Sequence, residues 1–544
     1  MKLMAQCSTF SALPSLGSVP SSPRTFFNAR LLDMEKYTLR NTDVVARGFA
    51  KRAIQDGRAI EGRLGNPTIF GFLPYPGLDY YLKQAVREGF AGYTESTGYT
   101  PLREELSHIN GGAESRFSVS VDNVFIGCGS SDLIGTILEV LSPEIPNMLD
   151  RLIEVKTGQG SIDPLIDILS KNEVITPEWS YVVYHANMAR LGMRNISLPL
   201  NGTGIPDVGK LEELLTPNTK AVILATVGNP IVAGMTPEEY MQALNIMEQK
   251  AKEYGHPIFL IADIIYESVR RDRNNRVGPI TLAMKNGIRN VIVLTVNSAS
   301  KMMGWPGNRI GWGKASAGDA YEDYFRTFLD YLGNLILPSL GRAALPQQVA
   351  LYRFFNSINR KKHAEWIDID RFAERATDWA GDATSEHELY ERFKEYRRAE
   401  IDRRVYEFAN LANRIPGVSL MPFLLKSDGA VDPGRLNAFY VMCRFEALPR
   451  GEFSQAARLA EFALELGFKV PLTTPGDEFL TPEARGKGEE WFRVVALMGD
   501  TDREEMVDVM GKFANQCRRT YPNPVQVSVP DLSSQRPASE GPMQ

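Results

Sequence analysis

Three apolar runs, "AVILATV" (221–227), "PIFLIAD" (257–263) and "NVIVLTV" (290–296), limit what this chain can fold into more than any other feature. Each is rich in β-branched residues, and helical sequence fills the gaps between them. Both faces of each run are apolar. A strand of that kind needs cover on both sides, which a mainly parallel sheet between two layers of helices supplies. Further strands are expected at "NVFIG" (123–127) and "YVVYH" (181–185). The fold class that follows is α/β, with a large domain over residues 56–340 that carries an inserted piece at about 143–172.

A smaller α+β C-terminal domain is expected over 341–520, where long helical sequence gives way to "NAFYVMC" (437–443) and "WFRVVALM" (491–498). Between them, residues 360–404 are densely charged with apolar and aromatic residues at helical spacing. That pattern reads as solvated helices with one packing stripe, or as a lid or subunit contact. A partly disordered N-terminal arm (1–55) and a flexible Pro/Ser-rich tail (521–544) complete the expected organisation.

Composition removes several classes of function. The chain has 544 residues, with 61 basic against 66 acidic side chains and a net charge of −5, so nothing favours nucleic acid or an anionic membrane as a partner. No apolar stretch approaches the roughly 20 residues a bilayer span requires. Cys7, Cys128, Cys443 and Cys517 lie far apart without a CxxC pair, and the five histidines show no ligand spacing, so no metal site is expected. A reducing, cytoplasmic setting fits. Residues 1–32 lack Asp and Glu and carry Arg24 and Arg30, which suits an organelle transit peptide, a disordered arm, or a start at Met34 equally well.

In an open parallel sheet, ligands bind beyond the carboxyl ends of the strands. There the three runs lead into Asn229-Pro230, into Asp263 followed by Tyr266, and into Ser298, Ser300 and Lys301, with Arg309 eight residues after the lysine. Singly, each residue has a structural explanation: a turn, a cap, a packed ring, a snorkelling amine. Together they form the set that pyridoxal 5′-phosphate needs. A lysine in an apolar, cation-adjacent place is partly deprotonated and forms the Schiff base. A carboxylate against the pyridine nitrogen keeps the ring an electron sink. Upstream, "GCGSSD" puts Gly129, Ser130 and Ser131 where a strand meets a helix, an anion cradle that Ser298 and Arg309 would complete. A nicotinamide-binding reading of the same glycines lacks the third glycine of its motif.

These stretches resemble the class I/II aminotransferase superfamily, the fold type I pyridoxal-phosphate enzymes. "VGNP" is similar to the Asn-Pro motif, "ADIIYES" to the Asp-x-x-Tyr motif, and "SASKMMGWPGNRIGW" to the Ser-x-Ser-Lys block with its later arginine. The resemblance implies a large domain of the aspartate aminotransferase type. By the same correspondence, "GYTESTGYTPLREELS" (92–107) makes Tyr93 the residue that reaches the phosphate of a neighbouring subunit. "TPEWSY" (176–181) nominates Trp179 to stack on the cofactor ring, with Tyr181 second. "WFRVVALMG" nominates Arg493 for the substrate α-carboxylate, and "GRLGNPTIFG" nominates Gly65 for a backbone contact.

The expected activity is therefore transfer of an amino group from an α-amino acid, with Lys301 as catalytic base and Asp263 and Tyr266 beside it. A homodimer or an assembly of dimers is implied. Two departures, "IVAG" after the Asn-Pro motif and "DIIYES" in place of the more usual pattern after the aspartate, leave the substrate open, as do the two inserted pieces. They also leave open a lyase or synthase of the same superfamily: β- or γ-elimination or replacement, carbon–carbon bond formation with S-adenosylmethionine, or aspartate 4-decarboxylation. A non-catalytic cofactor binder on this fold is the third reading.

Overall fold

The computed structural model describes residues 44–108, 118–142, 172–276, 278–336, 343–359, 379–381, 383, 385–449, 454–481, 484 and 491–522. The arm at 1–43, the inserted piece at 143–171, the charged stretch at 360–378 and the tail from 523 lie outside them.

The principal sheet has seven strands: β2 (Val124–Gly127), β3 (Glu173–Pro177), β4 (Arg194–Leu198), β5 (Thr219–Ala225), β6 (Ile258–Asp263), β7 (Val291–Ser298) and β8 (Gly311–Ser316). Their spatial order is β2-β8-β7-β6-β5-β3-β4. β8 runs antiparallel to both of its neighbours, and every other pairing is parallel. The two-faced apolar character of the central runs is explained by their surroundings. Ile223, Ile261 and Leu294 pack with the helices Ser130–Leu141, Val182–Leu191 and Glu322–Ile336. Val222, Leu260 and Val293 face the opposite layer, which includes helix Pro237–Tyr254. Neither face meets water.

One expected strand is a helix. "YVVYH" lies in Val182–Leu191, which ends on Gly192 in the left-handed conformation, and the strand is the preceding β3. The β-branched valines misled the reading, because helical sequence continues through "ANMARL". The real strand opens on a charge, Glu173, which is buried but held by Arg194 at 2.9 Å and Thr216 at 2.6 Å.

A second, four-stranded antiparallel sheet joins β9 (Val418–Leu420), β10 (Tyr440–Phe445), β12 (Thr474–Pro475) and β13 (Phe492–Val495) in the order β12-β13-β10-β9. A small parallel pair links β1 (Ala59–Glu61) to β11 (Val470–Leu472). The N-terminal segment is thereby tied to the C-terminal half, and residues 61–66 are led toward the strand ends of the large sheet.

The charged sequence before residue 404 belongs, from 386 on, to a 28-residue helix, Glu386–Asn413. It buries Leu389, Phe393, Arg397, Ile401, Val405 and Phe408, a single stripe at steps of three and four residues. Burial of each large apolar side chain in that stripe contributes about 1.5–3 kcal/mol. Its first residue, Glu386, accepts hydrogen bonds from Tyr81 at 2.5 Å and Tyr75 at 3.4 Å, and burial pushes its carboxyl up to about 7. This polar knot fastens the helix to Pro76–Arg87.

Candidate active site

Parallel pairing brings the ends of β5, β6 and β7 level, with Ala225 opposite Asp263 and Asp263 opposite Val296. Beyond those ends lies a cavity of about 520 Å3. Among its walls are Gly65, Ser130, Ser131, Asn229, Asp263 and Tyr266. Lys301, Arg309 and Arg493 line it as well. Most of the residues singled out in the sequence thus converge on one space.

Lys301 sits in the short helix Ala299–Met302, which begins directly after β7 on Ser298, whose hydroxyl accepts from the Ser300 N–H at 3.2 Å. Its Nζ donates to the Gly65 carbonyl and lies 5.8 Å from the Tyr266 ring and 5.4 Å from the Phe439 ring. Burial pushes the amine down to about 7, helped by the positive fields of Arg493, Arg397 and Arg309 and opposed by Asp263. A large share of this amine is neutral at physiological pH.

Asp263 is buried at the end of β6. Its Oδ2 accepts from the Tyr184 hydroxyl at 2.5 Å and its Oδ1 from the Ile265 N–H at 3.1 Å. Burial raises the carboxyl pKa, and these two donors and Lys301 oppose the rise. Among the described residues Asp263 has no arginine partner.

Arg493, in β13, is 2 % exposed. Its Nη1 donates to Asn229 Oδ1 at 2.7 Å, and its Nη2 to the Arg63 carbonyl at 2.5 Å and the Thr474 hydroxyl at 3.4 Å. The guanidinium is flanked by the rings of Tyr440 at 4.4 Å and Phe479 at 4.6 Å. Three acceptors and two rings fix its plane.

At the opposite end, helix Ser130–Leu141 points its N-terminus into the cavity, with Gly129 as N-cap. Arg309 donates to the Cys128 carbonyl at 3.1 Å. A Cβ on Gly129 would lie 2.9 Å from Arg309 Nη2, and its φ of 96° is one that side chains rarely adopt. Only glycine lets this arginine close over the helix end.

Gly129 and Ser298 stand behind the cavity wall, and two nominated residues lie elsewhere. Trp179 is held by an isolated bridge to Leu480 and is absent from the wall, whereas Tyr181, at the start of the following helix, lines it. Tyr93 is 97 % exposed and outside the cavity.

Sequence reasoning missed Tyr184 and Tyr440. The Tyr440 hydroxyl is 2.7 Å from that of Tyr266, so a phenol pair borders the lysine. Tyr184 was concealed by the strand misreading; a helix there would have put it one turn after Tyr181. Tyr440 lay in an expected strand, but nothing local marks it as facing this cavity.

The family model for aminotransferase class I and II matches residues 82–352. Glutamate-pyruvate aminotransferase AlaA of Escherichia coli (strain K12) is 22% identical over 271 residues, which are 48% of this chain and 56% of that protein. Alanine aminotransferase of Mycobacterium tuberculosis (strain H37Rv) is 24% identical over 330 residues, 60% of this chain and 68% of the relative. The solved alanine aminotransferase from Pyrococcus furiosus superposes with a TM-score of 0.64 at 20% identity, covering 90% of this chain and 100% of that one. The match to AlaA spans little more than half of that relative's length. The chain belongs to the class I/II aminotransferase superfamily and has its fold type I architecture.

Members of this family use pyridoxal 5′-phosphate. The residues here fit it: a helix N-terminus and Arg309 can take the phosphate, Asp263 awaits a cationic ring nitrogen, and Lys301 presents an amine between them.

Proposed function

We propose that this chain is a pyridoxal-phosphate-dependent enzyme that transfers the amino group of an α-amino acid to a 2-oxo acid. The observation that carries the reading is the Lys301 amine, lowered to about 7 inside a cavity that also presents Asp263 and Arg493. When bound, the cofactor supplies an aldehyde that condenses with amines and a ring that accepts electron density from the substrate Cα. Ser130, Ser131 and Arg309 would hold its phosphate, Asp263 would hold its ring nitrogen, and Tyr266 and Asn229 would hydrogen-bond its phenolic oxygen. The Tyr184 hydroxyl and the Ile265 N–H hold the Asp263 carboxylate in place.

Arg493 binds the substrate carboxylate through the N–H groups that its partners leave over, and the fixed guanidinium plane orients the Cα–H bond toward Lys301. The lysine takes the Cα proton as a neutral base and returns it as an ammonium. An amine near pH 7 can do both. The enclosing rings of Tyr440, Tyr266 and Phe439 limit water, which strengthens each charge interaction in the site.

The proposed organisation is a large domain at 56–340 and a small one at 341–520, in keeping with sheets drawn from 124–316 and 418–495. A homodimer belongs to the same reading: the exposure of Tyr93, outside its own chain's cavity, suits a residue that serves a partner's site. Among the described residues no helix is long and apolar enough to cross a membrane. A cytoplasmic setting accords with the unpaired Cys128, Cys443 and Cys517.

The test is to incubate purified protein with single amino acids and 2-oxoglutarate and to measure glutamate. Glutamate formed with at least one donor supports the reading. Consumption of aspartate or S-adenosylmethionine with no glutamate from any donor overturns it in favour of a lyase.

A further inference from the structure

β10 and β13 are antiparallel neighbours, with Met442 opposite Arg493 and Tyr440 opposite Val495. Tyr440 therefore stands on the same face of that sheet as Arg493, one diagonal step away, which an aromatic ring can span. The Arg493 guanidinium lies 4.4 Å from the centre of its ring. At the far end of that ring the Tyr440 hydroxyl meets the Tyr266 hydroxyl at 2.7 Å, in a contact that crosses from the small sheet to the strand ends of the large one. A Cβ at Gly65 would collide with the Tyr440 oxygen, so the glycine makes room for it. Both phenols line the Lys301 cavity and both are buried.

A phenol has one proton to give and can accept as well. Among the described residues each of these hydroxyls has the other as its hydrogen-bond partner. If Tyr266 donated, the Tyr440 proton would be left without an acceptor from those residues, which is costly for a buried group. If Tyr440 donates, both protons have a use, because that of Tyr266 is free for a group bound in the cavity. Acidity favours the same direction. Burial raises both phenols, and it raises Tyr266 further, because the Arg493 guanidinium on the Tyr440 ring opposes the rise there. The stronger acid is the better donor.

Given the cofactor use proposed above, we infer that Tyr440 is a positioning residue: its hydroxyl donates to Tyr266 and so commits the one proton of Tyr266 to the phenolic oxygen of pyridoxal 5′-phosphate. A hydroxyl that is itself accepting is polarised and donates more strongly. Donation to the phenolic oxygen draws negative charge away from the proton it shares with the Lys301 nitrogen, so that proton leaves at lower pH. Because Arg493 rests on the same ring, one side chain holds both the substrate anchor and the partner of the cofactor's oxygen.

The experiment follows the visible absorbance of the cofactor-loaded protein against pH in the wild type, Tyr440→Phe, Tyr266→Phe and the double variant, with cofactor dissociation constants from equilibrium dialysis. Tyr440→Phe keeps the ring under Arg493 and removes only the hydroxyl. It should raise the midpoint pH by about 0.5–1, the size of one net hydrogen bond, and weaken cofactor retention several-fold. Tyr266→Phe should raise the midpoint further, and the double variant no further than Tyr266→Phe alone, since Tyr440 acts through Tyr266. A Tyr440 that only fills space would leave the midpoint at its wild-type value, and one that acts independently would add its own shift in the double variant; either result overturns the inference alone. Wild-type protein that takes up no pyridoxal 5′-phosphate overturns the proposed function and this inference with it.

Discussion

Two buried lysines lie thirteen residues apart and answer to the same force in different ways. Lys301 follows β7, and Lys314 sits in β8, opposite Thr295 of that strand. Both amines are lowered to about 7. For Lys314 burial is the whole cause, its Nζ has no hydrogen-bond partner among the described residues, and it does not line the cavity that Lys301 lines. For Lys301 burial is joined by three guanidinium fields, and the amine opens into a space with a carboxylate and a helix N-terminus. A lowered amine is a property of burial; a reactive one also needs an opening, an anion site and a counter-charge within reach.

The largest effect should separate the two at once. Lys301→Ala is expected to abolish glutamate formation, while Lys314→Met keeps it within about threefold, as a change remote from the chemistry should. Equal losses in both would break the distinction. The same contrast has a pH signature: cofactor-free protein should form its imine with added pyridoxal 5′-phosphate about tenfold faster per pH unit below 7 and level off above it, because only the neutral amine attacks. Absorbance of the imine reads this directly. Lys314→Met should leave that profile in place.

Next in size is the substrate anchor. Arg493→Ala should lower kcat/KM by about 10²–10³-fold, the loss typical of a buried charge pair, with most of it in KM for the amino acid. A smaller effect, about tenfold in kcat, is expected of Tyr184→Phe, which removes one of the two hydrogen bonds that hold Asp263 among the described residues. Steady-state rates on both variants rank the two contacts. An unaltered Tyr184→Phe enzyme would show that the Ile265 N–H alone suffices.

What could be foreseen from the residues divides along physical lines. β5, β6 and β7 were legible because strands covered on both faces leave apolar runs, and their ends located Asn229, Asp263 and Lys301. Arg309 and Arg493 came from motif spacing, which encodes geometry already tested in relatives. Tyr440 and Arg397 were not legible, since each reaches its neighbours across more than a hundred residues of chain, by tertiary packing alone. The false strand at 181–185 has a local cause: β-branched residues at a helix start imitate a strand.

The smallest effect on activity carries the sharpest test of the comparison. Unfolded, Lys314 holds its proton up to the ordinary lysine value near 10.4; folded, it releases it at about 7. Between those values the unfolded chain binds more protons, so this group makes stability rise with pH across the window from about 7 to 10.4 and sets a constant penalty below it. Methionine fills similar volume without the amine. Lys314→Met should therefore raise the unfolding free energy by about 1–3 kcal/mol at pH 7, as expected when an unsatisfied buried donor is removed. Chemical denaturation across pH 7–10 should show that gain shrinking as pH rises. A variant destabilised at every pH would mean that Lys314, too, has a job its neighbours conceal, and burial could no longer be set apart from function at this pair.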